Sequence, residues 1–327
     1  MADFNILFTS AGRRVSLLRC FRKALNELGI RGKIIAADAG LSAPASFIAD
    51  ERLLVPRVSD PKYIGFLLGY CQENNIRLLI SLIDSDLVLL SQYKDAFEKI
   101  NTTLLVCDEE TNKICFNKHN TYRFFTDNNI PTPYVFTEVE VAGLSGNNYP
   151  VLIKPWDGSC SIGVTKINNS TELAFFYSYI RHAMVQEFIQ GDEYTCDVYV
   201  DFSGKVRCVV PRKRLETRAG EVSKGVTVRD LAIIKAVKGV VEKLPHGVGC
   251  ITVQCFKNED GVIKFIEINP RFGGGIPLSI KAGADFSKWI IQEVLGLGCD
   301  ANGTSWEDDL VMLRYDDEIF VPGSQVV

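Results

Sequence analysis

The chain has 327 residues, 36 of them basic and 40 acidic, for a formal net charge of −4; 46% are hydrophobic and 23% charged. That length is enough for two or three separate cores, and the composition is that of an ordinary soluble globular protein. The faintly negative balance, with no Lys/Arg-rich block, leaves no electrostatic footprint for nucleic acid or an anionic membrane, so neither is expected as a partner.

The opening M-A-D-F-N-I-L-F-T-S has neither a basic n-region nor a long apolar run, so no signal peptide is expected, and no stretch further on is apolar for long enough to span a bilayer. Residues 6–9 read as a short buried strand, broken by Ser10-Ala11-Gly12 and followed by a helix over 13–29. The next strand, 33–37, ends in Asp38. A further strand over 76–83 closes on Asp84-Ser85-Asp86 before a helix through 96, and 103–107 adds another strand, after which Asp108-Glu109 can open a helix. Alternation of this kind predicts a parallel, doubly wound α/β sheet whose ligands sit at the carboxyl ends of its strands, where Ser10 to Arg14, Asp38, Asp84 and Asp86 all fall. The turn S-A-G-R-R carries one glycine where a nicotinamide dinucleotide fingerprint needs three, which weighs against a dehydrogenase. The acidic residues then read as helix caps or exposed loop acids. Arg13 and Arg14 read either as holders of an anionic substrate group or as two solvated arginines.

A second unit starts near Asn112. Residues 117–133 predict a helix carrying Lys118 and stopped by I-P-T-P, because proline ends a helix and forces an extended exit. In Y-P-V-L-I-K-P-W-D-G-S-C-S-I-G-V, a strand ends at Lys154-Pro155 and the small-residue loop 158–163 leads to a strand over 164–167. Such a loop lets backbone N–H groups approach phosphate oxygens, and Lys154 adds a point charge to the same place. The alternative is a flexible Gly/Ser hairpin, and the spacing is not that of a P-loop. Next, M-V-Q-E-F-I-Q-G-D-E-Y-T-C-D-V-Y-V reads as a strand, a Gly191 turn and a second strand, connecting two lobes. Backbone groups at 187–189 could bond an adenine edge and Glu193 could accept from ribose hydroxyls, or the segment is a plain hairpin with acidic turn residues. The basic run P-R-K-R-L-E-T-R-A-G-E-V-S-K-G, 211–225, follows a strand ending at 210 and precedes a helix over 229–243. It could close over an anion or be a solvated face. The ten cysteines are scattered without a C-x-x-C pair, Cys250 and Cys255 in a strand-like segment being closest. That pattern predicts reduced thiols in a cytoplasmic protein.

The stretch F-I-E-I-N-P-R, 265–271, alternates apolar and polar residues as a half-buried strand does, so Glu267, Asn269 and Arg271 share a face. A carboxylate, an amide oxygen and a guanidinium aimed the same way suit a magnesium ion and a phosphate; the plain alternative is the polar face of an edge strand before a Pro-Arg turn. The tail from Arg314 reads as a last strand.

Lysine before I-P-T-P, then K-P-W-D-G-S-C-S-I-G-V, V-Q-E-F-I-Q-G-D-E-Y and E-I-N-P-R, in that order, resemble the ATP-grasp superfamily. The likeness is to one synthetase half of the carbamoyl-phosphate synthase large chain and to short carboxylate-amine ligases. It covers nearly the whole chain and implies an α/β fold: a parallel-sheet, Rossmann-like pre-ATP-grasp domain over 1–111, then a two-lobed α+β ATP-grasp domain over 112–327 with a small lid lobe at about 120–190. The resemblance implies Lys118 and Lys154 on ATP phosphates under a loop bearing Gly158, Ser159, Ser161 and Gly163; Gln186, Glu187 and Ile189 along the adenine; and Glu193 on the ribose. It implies Gln254, Glu267 and Asn269 as ligands of one or two magnesium ions, replaceable by manganese, and Arg271, with Lys154, as catalytic groups stabilising the phosphoryl group in flight. Arg13, Arg214, Arg218, Lys224, Gly273 and Gly274 are the substrate-side candidates. The expected activity is ATP-dependent joining of a small carboxylate to an amine. A carbamoyl-phosphate-type synthetase working with partner chains, a non-catalytic nucleotide-binding regulator and a homodimeric assembly remain open.

Overall fold

The computed structural model describes residues 3–158, 161–303 and 305–326. The N-terminal unit comprises β1 (Asn5–Thr9), α1 (Val15–Glu27), β2 (Ile34–Asp38), β3 (Glu51–Leu54), α2 (Tyr63–Glu73), β4 (Ile76–Ser81), α3 (Asp84–Ser91), α4 (Lys94–Glu98) and β5 (Thr103–Leu105). Its five strands form one parallel sheet in the order β3-β2-β1-β4-β5. The strands read as apolar runs because helices cover both faces: one face packs Ile6, Phe8 and Ile80 against α1, the other packs Leu7, Ile35 and Leu79 against α2 and α3. Strand order reverses between β1 and β4, so the loops leaving those two strands flank the crevice where open α/β sheets bind ligands.

Two helices follow, α5 (Glu109–Phe116) and α6 (Lys118–Asp127), separated at Asn117, whose side chain caps α6 by accepting from the backbone N–H of His119 at 2.8 Å. The expected single helix over 117–133 thus ends at Asp127, ahead of the proline pair. A small lobe comes next, with α7 (Glu138–Gly143), β6 (Val151–Pro155), β7 (Thr165–Ile167), α8 (Ser170–Tyr179) and β8 (Ala183–Glu187). Its three strands pair antiparallel in the order β7-β6-β8 over a core of its own built on Val151, Ile153, Ile167 and Val185.

The remaining elements are β9 (Asp192–Val200), β10 (Val206–Arg218), β11 (Glu221–Thr227), α9 (Leu231–Val241), β12 (Gly249–Lys257), β13 (Ile263–Asn269), α10 (Ile276–Lys281), α11 (Phe286–Val294) and β14 (Val311–Leu313). They build a six-stranded antiparallel sheet, β13-β12-β9-β10-β11-β14. β8 and β9 lie in different sheets, so 188–191 connects two lobes and is not a hairpin turn. The basic run 211–225 departs from expectation: it is a hairpin, because β10 continues to Arg218 with β9 on one side and β11 on the other. The last strand is 311–313; the Arg314 N–H still donates to the Ser223 carbonyl of β11, and from 315 to 321 the chain forms no strand. One core, containing Phe8, Phe21, Phe272, Phe286 and Trp289, runs from the N-terminal sheet into the large antiparallel one and fuses the two. No helix among the described residues is long and apolar enough to cross a membrane.

Candidate nucleotide and substrate site

The site begins with an irregular strand. β12 and β13 pair Gln254 with Glu267 but Cys255 with Phe265, which leaves Ile266 as an extra residue, a β-bulge. Regular alternation would put Phe265 and Ile268 on opposite faces. With the bulge both are buried in one cluster, at 2% and 0% exposure, while Ile266 turns to the cleft beside Lys154. Glu267 stays half-buried on the cleft side, and Asn269 and Arg271 follow it. The bulge therefore aims a carboxylate outward without sacrificing the core.

Across the cleft stand two lysines. Lys118 opens α6, donates its Nζ to the carbonyl of Gly158 and its N–H to the carbonyl of Trp156, and so ties the start of the small-residue loop to the helix. Lys154 is the last residue but one of β6 and is 8% exposed, and its ammonium has no hydrogen bond or ion pair among the described residues. Burial pushes its ammonium down to about 8, against the pull of Glu267 and with the help of Lys118. Phe125, Val135, Gln186 and Ile266 line the same cleft. In the loop, Ser161 and Gly163 adopt positive φ, and Gly158 and Gly163 pack on the Pro155 ring. Ser159 lies outside the described residues.

The adenine-side candidates divide. Gln186 is buried in the cleft wall, and Ile189 lies half-buried in the connector. The Glu187 carboxylate instead accepts from Lys264 Nζ, both contacts at 2.6 Å, and from the Tyr134 N–H at 3.1 Å, which fastens the small lobe to β13. Glu193 bonds Arg214 Nη1 at 2.5 Å. Burial raises its carboxyl above the ordinary range, Arg214 opposes that, and Glu267 adds to it. Arg214 also donates to the Gly220 carbonyl at 2.8 Å, while its Nε is buried without a partner among the described residues. Arg218 and Lys224 pair with exposed acids, Asp316 at 2.8 Å and Glu216 at 2.7 Å, on the outer end of the hairpin.

At the far end Arg271 Nη2 donates to Asn269 Oδ1 at 3.1 Å and to Asp84 Oδ2 at 2.8 Å. Desolvation would lower this guanidinium, but Asp84 holds it above its usual value. Asp84 and Asp86 are therefore neither helix caps nor exposed acids. Asp84 pairs across to the grasp sheet, and Asp86, fully buried, accepts on Oδ2 from Ser10, Ser81, Tyr63 and Thr9. Asp38 accepts from the N–H groups of Gly12 and Gly40, fixing the loop after β1. Gly273 packs on Thr252, and beyond it the chain passes close to two arginines. A Cβ at Gly274 would lie 2.7 Å from Arg14 Nη1, and one at Gly275 2.2 Å from Arg212 Nη1.

Glu267, Gln254 and Asn269 offer one carboxylate and two amide oxygens on adjacent strands. That set fits magnesium, which is commonly held by one or two carboxylates together with phosphate oxygens. No group of three or more His, Cys, Asp or Glu residues suited to a metal occurs among the described residues. Sequence reading missed the Asp84–Arg271 pair, the placement of Ile266 and the buried Arg212–Asp197 pair. Only the last left a trace, a lone charge in each of the apolar strands T-C-D-V and V-V-P-R.

A doubly wound domain is thus joined to two antiparallel lobes, with Lys118 and Lys154 lining a cleft near Glu267. The chain is a member of the ATP-grasp superfamily: residues 115–275 match the family described as ATP-grasp domain, and residues 6–105 that described as PylC-like, N-terminal domain. Among curated proteins it is 28% identical over 218 residues to a D-alanine--D-alanine ligase of Shewanella piezotolerans, covering 56% of this chain and 63% of that one. The chain spans less than two thirds of the length of the curated relatives it matches. Among solved structures, N5-carboxyaminoimidazole ribonucleotide synthetase in complex with ADP superposes with a TM-score of 0.74 at 17% identity, over 96% of this chain and 82% of that one. The biotin carboxylase domain of Hydrogenobacter thermophilus 2-oxoglutarate carboxylase, solved with MgADP and bicarbonate, gives 0.73 at 18%, over 95% and 74%.

Proposed function

We propose that this chain is an ATP- and magnesium-dependent ligase that activates a small carboxylate as an acyl phosphate and couples it to an amine. The observation that carries this reading is Lys154, a buried ammonium with no partner among the described residues, set opposite Glu267 and beside Lys118 in one cleft. An unpaired buried charge is costly, and a polyphosphate supplies the missing partner. The division into a domain over 1–111 and one over 112–327 belongs to the same proposal, as does a cytoplasmic location, which suits the free cysteines.

In this reading Lys118 and Lys154 neutralise the phosphates, and the loop 158–163 covers them. Gln186 and Ile266 line the base. Glu267, Asn269 and Gln254 would hold magnesium, which when bound would neutralise phosphate charge. A carboxylate oxygen of the acid attacks the γ-phosphorus and the bond to the β-phosphate oxygen breaks, releasing ADP. Arg271, held by Asp84 and Asn269, faces the charge spread over the transferring group. The amine nitrogen then attacks the acyl carbon, phosphate departs with the C–O electron pair, and the amine's proton passes to solvent. Closure of the small lobe keeps water from the acyl phosphate. The carbamoyl-phosphate-type variant would show bicarbonate-stimulated ATP hydrolysis without another acid. A screen of carboxylates with and without amines, read as phosphate release, tests the reading: release that depends on a particular acid supports it, and release indifferent to every acid refutes it.

A further inference from the structure

Arg13, Arg14 and Arg314 converge on one carboxylate, Glu221. Arg13 Nη2 lies 3.2 Å and Arg314 Nη1 3.3 Å from its Oε2, and Arg14 Nη2 3.7 Å from its Oε1. Three guanidinium groups therefore share one negative charge. Arg14 is the most sheltered, with its side chain 18% exposed, and among the described residues its guanidinium has no side-chain hydrogen bond, only that long ion pair. Burial lowers its guanidinium, Glu221 counters this, and the field of Arg271 adds to the lowering, so the cluster is electrostatically continuous with the phosphate end of the cleft. On Glu221, burial works upward but Arg14, Arg13 and Arg314 together hold the carboxyl below its usual range. The groups come from three separate places: the loop after β1, the start of β11 and the segment after β14. They meet against Gly274, where a side chain would collide with Arg14. A sheltered Arg14 held by one long contact, with the more exposed Arg13 and Arg314 beside it and a bare backbone turn alongside, is a seat for an anion, because arginine recognises carboxylate and phosphate oxygens bidentately.

Resting on the ligase reading, we infer that this cluster receives a second anionic group of the acid substrate, so that the substrate class is a small acid carrying a carboxylate or phosphate besides the carboxylate that is activated. Glu221 spaces the arginines and screens them from one another while the seat is empty. Arg14 is the inner contact, and Arg13 and Arg314 close the outer side.

The test is calorimetric titration of the full chain, held with magnesium and a non-hydrolysable ATP analogue. The ligands are succinate and glutarate, the monoamide of each, and 3-phosphonopropionate. The diacids, or the phosphonate if phosphate is the natural group, should bind at least tenfold more tightly than the monoamides. That advantage should vanish in Arg14→Gln and fall severalfold in Arg13→Gln, whose side chain is 62% exposed, so that its loss should leave the fold intact. Monoamides binding as well as diacids, an advantage that survives both substitutions, or no binding by any of the five, would overturn the inference. Preferred diacid binding without acid-dependent phosphate release would instead refute the ligase reading and leave the anion seat standing.

Discussion

Arg271 and Asp84 are 187 residues apart in the chain and joined at 2.8 Å in the fold, a link from the N-terminal sheet to the strand end that carries the candidate metal ligands. Asn269 Oδ1 takes a second contact from the same Nη2. The guanidinium is thus oriented by both halves of the molecule. Asp84→Asn removes the charge and keeps the shape. It should lower the turnover rate roughly tenfold or more while leaving nucleotide affinity within about twofold, since an oriented charge is used mainly in the transition state. Steady-state kinetics beside calorimetric ATP binding check this; equal losses in both would show that the pair serves only to hold the fold.

Lys154 gives a pH signature. Its folded-state value of about 8 lies below the ordinary lysine value of 10.5. Between these two the unfolded chain binds the extra proton, so on this account stability rises with pH through that window and the penalty is fully present below about 8. A bound polyphosphate favours the protonated form and raises the value again. Nucleotide binding at pH 8 should then take up roughly half a proton, seen as a dependence of the binding enthalpy on the buffer's ionisation enthalpy. Lys154→Met should abolish the uptake and weaken binding; an unchanged buffer dependence in that variant would assign the proton elsewhere.

Ile266 and Phe265 are neighbours in sequence with opposite fates. Phe265→Ala opens the core and should cost about 3–5 kcal/mol in urea unfolding. Ile266→Ala removes cleft surface and should raise the KM for ATP severalfold with little change in stability or turnover. A regular strand would split these two neighbours in the same way; the bulge adds that Ile268→Ala should also destabilise the fold, because Ile268 shares the core of Phe265. An Ile268→Ala variant as stable as the natural chain, beside a destabilised Phe265→Ala, would contradict the bulge at Ile266.

Asp197 and Arg212 form a fully buried pair on adjacent strands, with Nε to Oδ2 at 2.7 Å and Nη2 to Oδ1 at 3.0 Å, and Ser279 donates to Oδ2 at 2.6 Å. Arg212 Nη1 has no partner among the described residues and lies against Gly275. Asp197→Ala leaves an uncompensated buried guanidinium and should cost about 3–5 kcal/mol. Denaturation midpoints measure it, and a loss under about 1 kcal/mol would mean that Arg212 finds water or another acid.

Much of the fold was legible because its signals are local. The strands at 6–9 and 33–37 are apolar runs, I-P-T-P stops a helix, and the turn at Gly191 breaks the chain between sheets. The order of the lysines, the loop and E-I-N-P-R carried the superfamily. What sequence could not show is which long-range partners claim a charged side chain. Glu187 reads as a cleft residue but is bonded to Lys264, and Asp84 reads as a cap but meets Arg271. The run 211–225 reads as a segment closing over an anion or as a solvated face, because its charges hide the ladder in which β10 is paired on both sides. The bulge at Ile266 leaves only a faint mark in K-F-I-E-I-N, the adjacent apolar pair Phe265-Ile266 that interrupts the alternation.

The central claim is that Glu267, opposite a Lys154 ammonium that has no partner among the described residues, organises phosphoryl transfer to a carboxylate. The direct measurement is phosphate release from ATP with magnesium, the activating acid and an amine, for the natural chain and for Glu267→Gln. The account predicts acid-dependent release in the natural chain and a loss of at least a hundredfold in the variant, with the fold retained. Full activity in Glu267→Gln would contradict it.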